Sequence, residues 1–209
     1  MDYVAARNNM VESQVRVNDV TDMALQRAMR HVERERLCAQ SQGFAAYGEV
    51  EAMIAPNRYL MKARDISKLM HVLSPKAGES VLAIAAPYAG AVLAHAGLDV
   101  IVQEEDARTL AVVEPYLKTL GVKTQTQGFA TPVAGEYDLI IIEGAVSEVP
   151  DAWLKALKIG GRLGVVVRTS AVGKATVFTK LDSGVSAGEV FDSSPSILSG
   201  FEKTKSFVF

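Results

Sequence analysis

Residues 137–163, YDLIIIEGAVSEVPDAWLKALKIGGRL, carry the clearest local signals in the chain. Residues 137–142 predict a strand, and the unbroken apolar run at its end is typical of a strand buried on both faces of a sheet. Pro150 suits the first turn of a helix, and the glycine pair at 160–161 predicts a turn into a second strand at residues 162–167. The stretch therefore indicates a β-α-β unit with parallel strands.

The same alternation of strands and helices extends to either side of this unit. Short β-rich runs predict strands, and apolar residues at helical spacing predict helices. The expected strands cover residues 79–85, 99–103, 123–127, 176–181 and 206–209, and the expected helices cover 88–96 and 107–120. We therefore predict an α/β fold, a mostly parallel sheet with helices on both faces, in which ligands bind beside the carboxyl ends of the strands.

The first third of the chain has a helical pattern instead. Asp22 offers an N-cap side chain, and apolar residues then recur at helical spacing. A second helix is expected at residues 63–73, and residues 40–57 predict an irregular connector because glycine and proline interrupt them. We expect residues 1–75 to form a helical region packed on a core of residues 76–209, as one compact unit.

The composition excludes several classes of protein. The chain has 209 residues, 49% of them hydrophobic, and a formal net charge of −2, which gives no basic field for nucleic acid or a membrane surface. No apolar run is long enough to span a bilayer, and the start lacks the layout of a signal peptide, so we expect a cytoplasmic protein. The local basic cluster of Arg27, Arg30 and Arg34 is expected on a solvated helix face.

Neither cysteine nor histidine spacing indicates a metal site. Cys38 is the single cysteine, which excludes an internal disulfide, and we expect a buried or idle side chain. His31, His71 and His95 show none of the spacings that metal ligands use.

The runs YDLIII, GAV, EVP and LKIGGRL within residues 137–163, with DVTD at 19–22, form a recognisable set. In them the chain resembles the protein-L-isoaspartate O-methyltransferase family, within the class I S-adenosylmethionine-dependent methyltransferase fold, from about residue 20 to 209. The resemblance implies a Rossmann-like, mostly parallel sheet of seven strands. It also implies transfer of a methyl group from S-adenosylmethionine to a carboxylate, on damaged aspartyl residues of a protein or peptide substrate.

The loop that would hold the cofactor departs from the family pattern, roughly VLEIGxGxGY. The stretch VLAIAAPY starts at Val81 and keeps the strand, but Ala85 replaces the first glycine and Pro87 stands at the place of the next. Glycine suits such a loop because it permits positive φ and close approach of a ligand, and Pro87 also removes a backbone N–H. By position, the resemblance still assigns Ala85, Ala86, Pro87 and Tyr88 to the cofactor.

The resemblance assigns three further positions to the cofactor. Glu104 matches an acid that would bond the ribose hydroxyls, and the alternative is a surface carboxylate favoured by a helix dipole. Phe129 replaces an acid near the adenine amino group, and it can stack on a base but cannot accept a hydrogen bond. Glu143 begins the loop after the strand at 137–142, at the same crevice.

Residues 57–63, NRYLMKA, match a GQTISQP-like segment whose hydroxyls in the family help to seat the substrate carboxylate. Tyr59 and Met61 replace the threonine and the serine. Arg58 and Lys62 offer positive charge to a carboxylate, and the alternative is an exposed basic loop. These four residues are the candidates for substrate binding.

Two functions stay open at this point. The chain is either a divergent carboxyl methyltransferase or a catalytically inactive protein that keeps the fold for interaction or regulation. Since the loop lacks glycine, we expect the side chain of Pro87 or Tyr88 to fill part of the cofactor crevice.

Overall fold

A computed structural model describes residues 1–203. Its helices and strands alternate after an N-terminal helical part, as the sequence predicts. In chain order they are α1 (Tyr3–Met10), α2 (Met23–His31), β1 (Ala52–Ala55), β2 (Arg58–Leu60), α3 (Ala63–Val72), β3 (Ser80–Ile84), α4 (Pro87–His95), β4 (Asp99–Glu104), α5 (Ala107–Thr119), β5 (Lys123–Thr126), β6 (Tyr137–Val146), α6 (Asp151–Lys155), β7 (Leu157–Val167), β8 (Gly173–Leu181) and β9 (Gly184–Ser193).

The main sheet has seven strands in the order β5-β4-β3-β6-β7-β8-β9. The pairs from β5 to β7 are parallel, and β8 and β9 add an antiparallel edge. The chain runs from β3 outward to β5 and then returns to β6 on the other side of β3. This reversal creates a crevice at the carboxyl ends of β3 and β6, where open α/β sheets bind ligands. The predicted fold class is confirmed.

Strand β6 contributes apolar side chains to both faces of the sheet. Its alternate residues Leu139 and Ile141 join one apolar cluster, whereas Ile140 and Ile142 join the cluster on the opposite face. All four are completely buried, and burying each such side chain contributes about 1.5–3 kcal/mol. The apolar run of the sequence therefore fixes the strand at the centre of the sheet.

The structure differs from the sequence prediction at three places. The connector at 40–57 contains β1, which pairs with β2 in a small antiparallel hairpin. Strand β7 begins at Leu157 and includes the glycine pair, because a bulge in its pairing with β6 absorbs the extra residues and Gly160 takes a φ of 80°. Strand β9 was not predicted, since its residues are largely exposed and lack an apolar pattern. The strand predicted at 206–209 lies outside the described residues.

The N-terminal helices pack on the same apolar cluster as the sheet. Met29 of α2 and Ile66 of α3 belong to it, together with Val81 of β3 and Val92 of α4 from the sheet region. The division at residue 75 stays a prediction. Within residues 1–203, none of the helices combines the length and the hydropathy that crossing a membrane requires.

Candidate functional site

The loop after β3 makes a left-handed turn without glycine. Ala85 takes a φ of 52°, a conformation that costs a residue with a Cβ about 1–2 kcal/mol. Its N–H donates to the carbonyl of Gln103 at 2.9 Å, and Pro87 then begins α4. Ala85 and Ala86 are completely buried, so the loop lies inside the protein.

The end of β4 brings Glu104 to the same place. The carboxylate is completely buried and forms a two-pronged ion pair with Arg58, in which Nε lies 3.3 Å from Oε2 and Nη2 contacts Oε1. Arg58 Nη2 also donates to the carbonyl of Ala85 at 2.9 Å. Glu104 is therefore not a surface carboxylate, and Arg58 is not part of an exposed loop.

The third contributor to the crevice is Glu143, within β6. Its Oε1 accepts the backbone N–H of Met61 at 3.0 Å and lies 3.9 Å from Nη1 of Arg34. Burial raises the pKa of Glu143 to about 7, although Arg34 and Arg58 act in the opposite direction. Burial likewise raises the pKa of Glu104, opposed by Arg58. The crevice therefore contains two buried acids and two buried guanidinium groups.

Arg34 was expected on a solvated helix face, and that prediction is wrong. The residue lies beyond the end of α2, in a short 3-10 turn, and is completely buried. Its Nε donates to the carbonyl of Ala46 at 2.7 Å, and its Nη2 donates to the carbonyl of Met61. Alternating charges around Arg34 resemble those of a surface helix, so no local pattern indicated this role.

Tyr88 lies against the buried Arg34. The Arg34 guanidinium carbon is 4.4 Å from the Tyr88 ring centroid, and the ring is completely buried. Its hydroxyl has no hydrogen-bond partner among residues 1–203. Tyr88 therefore packs against Arg34, and it is the side chain of Arg58 that contacts Glu104.

Phe129 completes the wall around Arg58. It is 1% exposed, and the Arg58 guanidinium carbon lies 5.6 Å from its ring centroid. The Phe129 backbone is held at both ends, by Trp153 Nε1 on its carbonyl at 2.7 Å and by its own N–H donating to Glu105 at 3.1 Å. The ring that could by its chemistry stack on a base therefore faces a guanidinium.

The free space around the acids is small. A cavity of about 10 Å³ borders Glu143, Gly144, Arg58 and Tyr59, enough for about one water molecule. A depression of about 500 Å³ lies outside Arg58, between Glu105 and Phe129, and Glu104 does not line it. Sites for drug-sized ligands measure about 300–1,000 Å³ and bury most of the ligand. As arranged, these residues do not fit S-adenosylmethionine, because the acid expected at its ribose is covered by Arg58.

The structure does not gather the substrate candidates in one site. Arg58 enters the cofactor crevice, and Met61 is buried with its backbone bonded to Glu143 and Arg34. Tyr59 and Lys62 are half-buried, and Lys62 lines a separate depression of about 430 Å³ beside Asp65.

Other reactive groups in the described part of the chain offer no metal site. No group of three or more metal-ligating side chains occurs in residues 1–203. The rings of His31 and His95 stack with their centroids 5.0 Å apart. Cys38 is buried, as expected, and burial raises the pKa of its thiol to about 11.

The strand order of the sheet and the position of the crevice place this chain in the class I methyltransferase fold. A solved protein-L-isoaspartate O-methyltransferase superimposes on 94% of this chain and 67% of its own, with a TM-score of 0.79 and 19% identity. A protein from Plasmodium falciparum described as such a methyltransferase, in complex with S-adenosyl-L-homocysteine, has a TM-score of 0.79 and 15% identity, over 92% of this chain and 97% of its own.

Sequence comparison narrows the class to a family. The profile of the family "Protein-L-isoaspartate(D-aspartate) O-methyltransferase" matches residues 5–192. The protein-L-isoaspartate O-methyltransferase of Methylorubrum extorquens is 31% identical over 172 residues, 79% of this chain and 75% of the relative. Protein-L-isoaspartate O-methyltransferase 2 of Shewanella sediminis is 28% identical over 169 residues, 77% and 69% of the two chains. This chain belongs to the protein-L-isoaspartate O-methyltransferase family.

Proposed function

We propose that this chain is a non-catalytic member of its family, which keeps the fold for interaction or regulation and does not use S-adenosylmethionine. The observation that supports this most is the buried ion pair between Arg58 and Glu104. In this pair Arg58 occupies the carboxylate of Glu104, which the resemblance assigns to the cofactor ribose. Sequence changes in the loop, with Ala85 and Pro87 in place of glycines, act in the same direction.

The cost of reopening the crevice supports the proposal. A ligand that bonded Glu104 would displace Arg58, and breaking a buried ion pair costs about 3–5 kcal/mol when the remaining charge stays unpaired. That cost lowers affinity by roughly 10²- to 10⁴-fold. A micromolar cofactor would thus become a millimolar one, unless its own contacts replaced those of Arg58.

The second candidate is a divergent carboxyl methyltransferase that acts on a protein or peptide. Family membership favours it, as does the depression of about 500 Å³ between Glu105 and Phe129. S-adenosylmethionine would supply an activated methyl group when bound. This chain would have to contribute an Arg58 that swings away from Glu104 and a segment at Tyr59 and Lys62 that orients the carboxylate.

Calorimetric titration of the whole chain with S-adenosylmethionine and S-adenosylhomocysteine tests the proposal. We expect no heat of binding and no thermal shift at millimolar ligand. Micromolar binding by the unaltered chain would instead contradict the proposal and favour the second candidate. Arg58→Lys is the matched control, because it keeps a positive charge beside Glu104 but shortens the side chain. We also propose that the protein is cytoplasmic, which cell fractionation would test.

A further inference from the structure

We propose that the crevice has become a binding site for a guanidinium group, with Arg58 as its internal ligand. The inference deepens the proposed function, since it names the chemistry that the former cofactor site recognises. It rests on that function only in taking the crevice as closed to the cofactor, and its test uses a different ligand and a different variant.

The acceptors around Arg58 match a planar guanidinium group. Glu104 presents both carboxylate oxygens to one edge, through Nε and Nη2. The carbonyl of Ala85 accepts a further bond from Nη2 at 2.9 Å, and the carbonyl of Tyr59 lies 3.4 Å from Nη1. A guanidinium has five N–H donors in one plane, whereas an ammonium has three around a single point. The set of acceptors therefore selects for the fork shape as well as for positive charge.

The surroundings of the site favour a cation of low hydration. Glu104 is completely buried, Arg58 is 5% exposed, and Phe129 presents its ring 5.6 Å from the guanidinium carbon. An aromatic face attracts guanidinium groups, and the attraction increases when water is excluded. Ribose hydroxyls are neutral, so they would leave the Glu104 charge uncompensated in this setting.

The site is accessible if Arg58 is shortened. Arg58 is the first residue of the short strand β2, and it lines the outer depression together with Phe129. Truncation at this position would leave Glu104, the Ala85 carbonyl and the Phe129 ring around a gap that opens to the surface. The expected ligand is a small planar cation, a guanidinium or an amidinium.

Chemical rescue of Arg58→Ala tests this assignment. The melting temperature of the variant is measured with millimolar methylguanidinium and, separately, with methylammonium. We expect methylguanidinium to raise it by about 2–4 °C once the ligand exceeds its dissociation constant severalfold, and methylammonium to raise it less. The unaltered chain should respond to neither, because Arg58 occupies the site. Arg58→Ala with Glu104→Gln should lose the response.

Equal effects of the two cations, or a response that survives Glu104→Gln, would overturn the inference. If Arg58→Ala does not fold alone, its refolding yield with each cation replaces the melting temperature, and no difference between them also overturns it. Titration of the unaltered chain with S-adenosylmethionine remains a separate measurement. Binding there would contradict the proposed function while leaving the rescue result to stand or fall independently.

Discussion

The guanidinium of Arg58 lies between the carboxylate of Glu104 and the carbonyl of Ala85, and so joins strand β2 to the ends of β4 and β3. Both charged side chains are buried. A single arginine thus connects the small hairpin to the edge of the sheet where related folds bind ligands.

Breaking this pair should destabilise the protein. We expect Arg58→Ala to lower the free energy of unfolding by about 3–5 kcal/mol, because Glu104 would lose the partner that compensates its charge. Urea denaturation gives the value. Arg16→Ala is the matched control, since its ion pair with Glu12 is exposed and should be worth about 0–1 kcal/mol.

Removing both charges of the pair should cost much less. The double variant Arg58→Met with Glu104→Leu leaves apolar groups in place of the pair, and such replacements are often neutral. We expect it to be more stable than Arg58→Ala alone. A double variant as unstable as the single one would show that the arginine stabilises the fold by packing, not by charge.

Glu143 should make stability depend on pH. Its folded pKa is raised to about 7 from an ordinary 4.5, so the folded state binds the proton more tightly. The resulting stabilisation is fully present below about pH 4.5 and is lost as the pH rises to about 7. Between those limits the loss is on the order of 3 kcal/mol.

Denaturation at pH 5 and pH 8 measures this dependence. Glu143→Gln should flatten it, because glutamine does not titrate, although Arg34, Arg58 and Tyr88 still face the position. Glu148→Gln is the control and should leave the slope unchanged, since Glu148 is exposed. An unchanged slope in Glu143→Gln would contradict the assignment.

Two tyrosines offer a matched test of buried hydroxyl groups. The Tyr88 hydroxyl has no partner in the described part of the chain, whereas the Tyr47 hydroxyl accepts from Arg7 at 3.1 Å and donates to Glu35. We expect Tyr88→Phe to be neutral or stabilising. Tyr47→Phe should cost about 1–3 kcal/mol, because it leaves the buried Arg7 and the partly buried Glu35 with fewer partners. Thermal denaturation of both variants decides, and equal losses would show that Tyr88 is hydrogen-bonded in solution.

Gly90 should tolerate no side chain. A Cβ there would lie 2.5 Å from Val102 Cγ2 and 3.2 Å from Ala83 Cβ, where α4 packs closely on the sheet. We expect Gly90→Ala to cost about 1–3 kcal/mol despite the higher helix propensity of alanine. At Gly188, an added Cβ meets nothing within 4 Å, so Gly188→Ala serves as the control in the same assay.

Much of the fold was predictable because it rests on local pattern. The Asp22 side chain caps α2 through the N–H groups of Ala24 and Leu25, and the apolar run after Tyr137 gives the central strand. Predicted and observed ends agree within a residue or two for α3, α4, β3 and β4. Strand β9 was not predicted because edge strands are stabilised largely by backbone pairing, which produces little pattern in the side chains.

By itself, the sequence determined the alternating α/β order, the placement of Glu104 at the end of a strand, and the loss of glycine at Ala85. Glu143, which was expected to begin a loop, lies instead within β6. Only the tertiary structure decided what those acids bind. Arg58 lies 46 residues from Glu104 in the chain. In the sequence it resembles a surface residue, because only the folded hairpin of β1 and β2 positions it inside the protein. The reason is physical: local pattern fixes secondary structure, whereas a buried charge finds its partner through packing, so the pairing exists only in the folded chain.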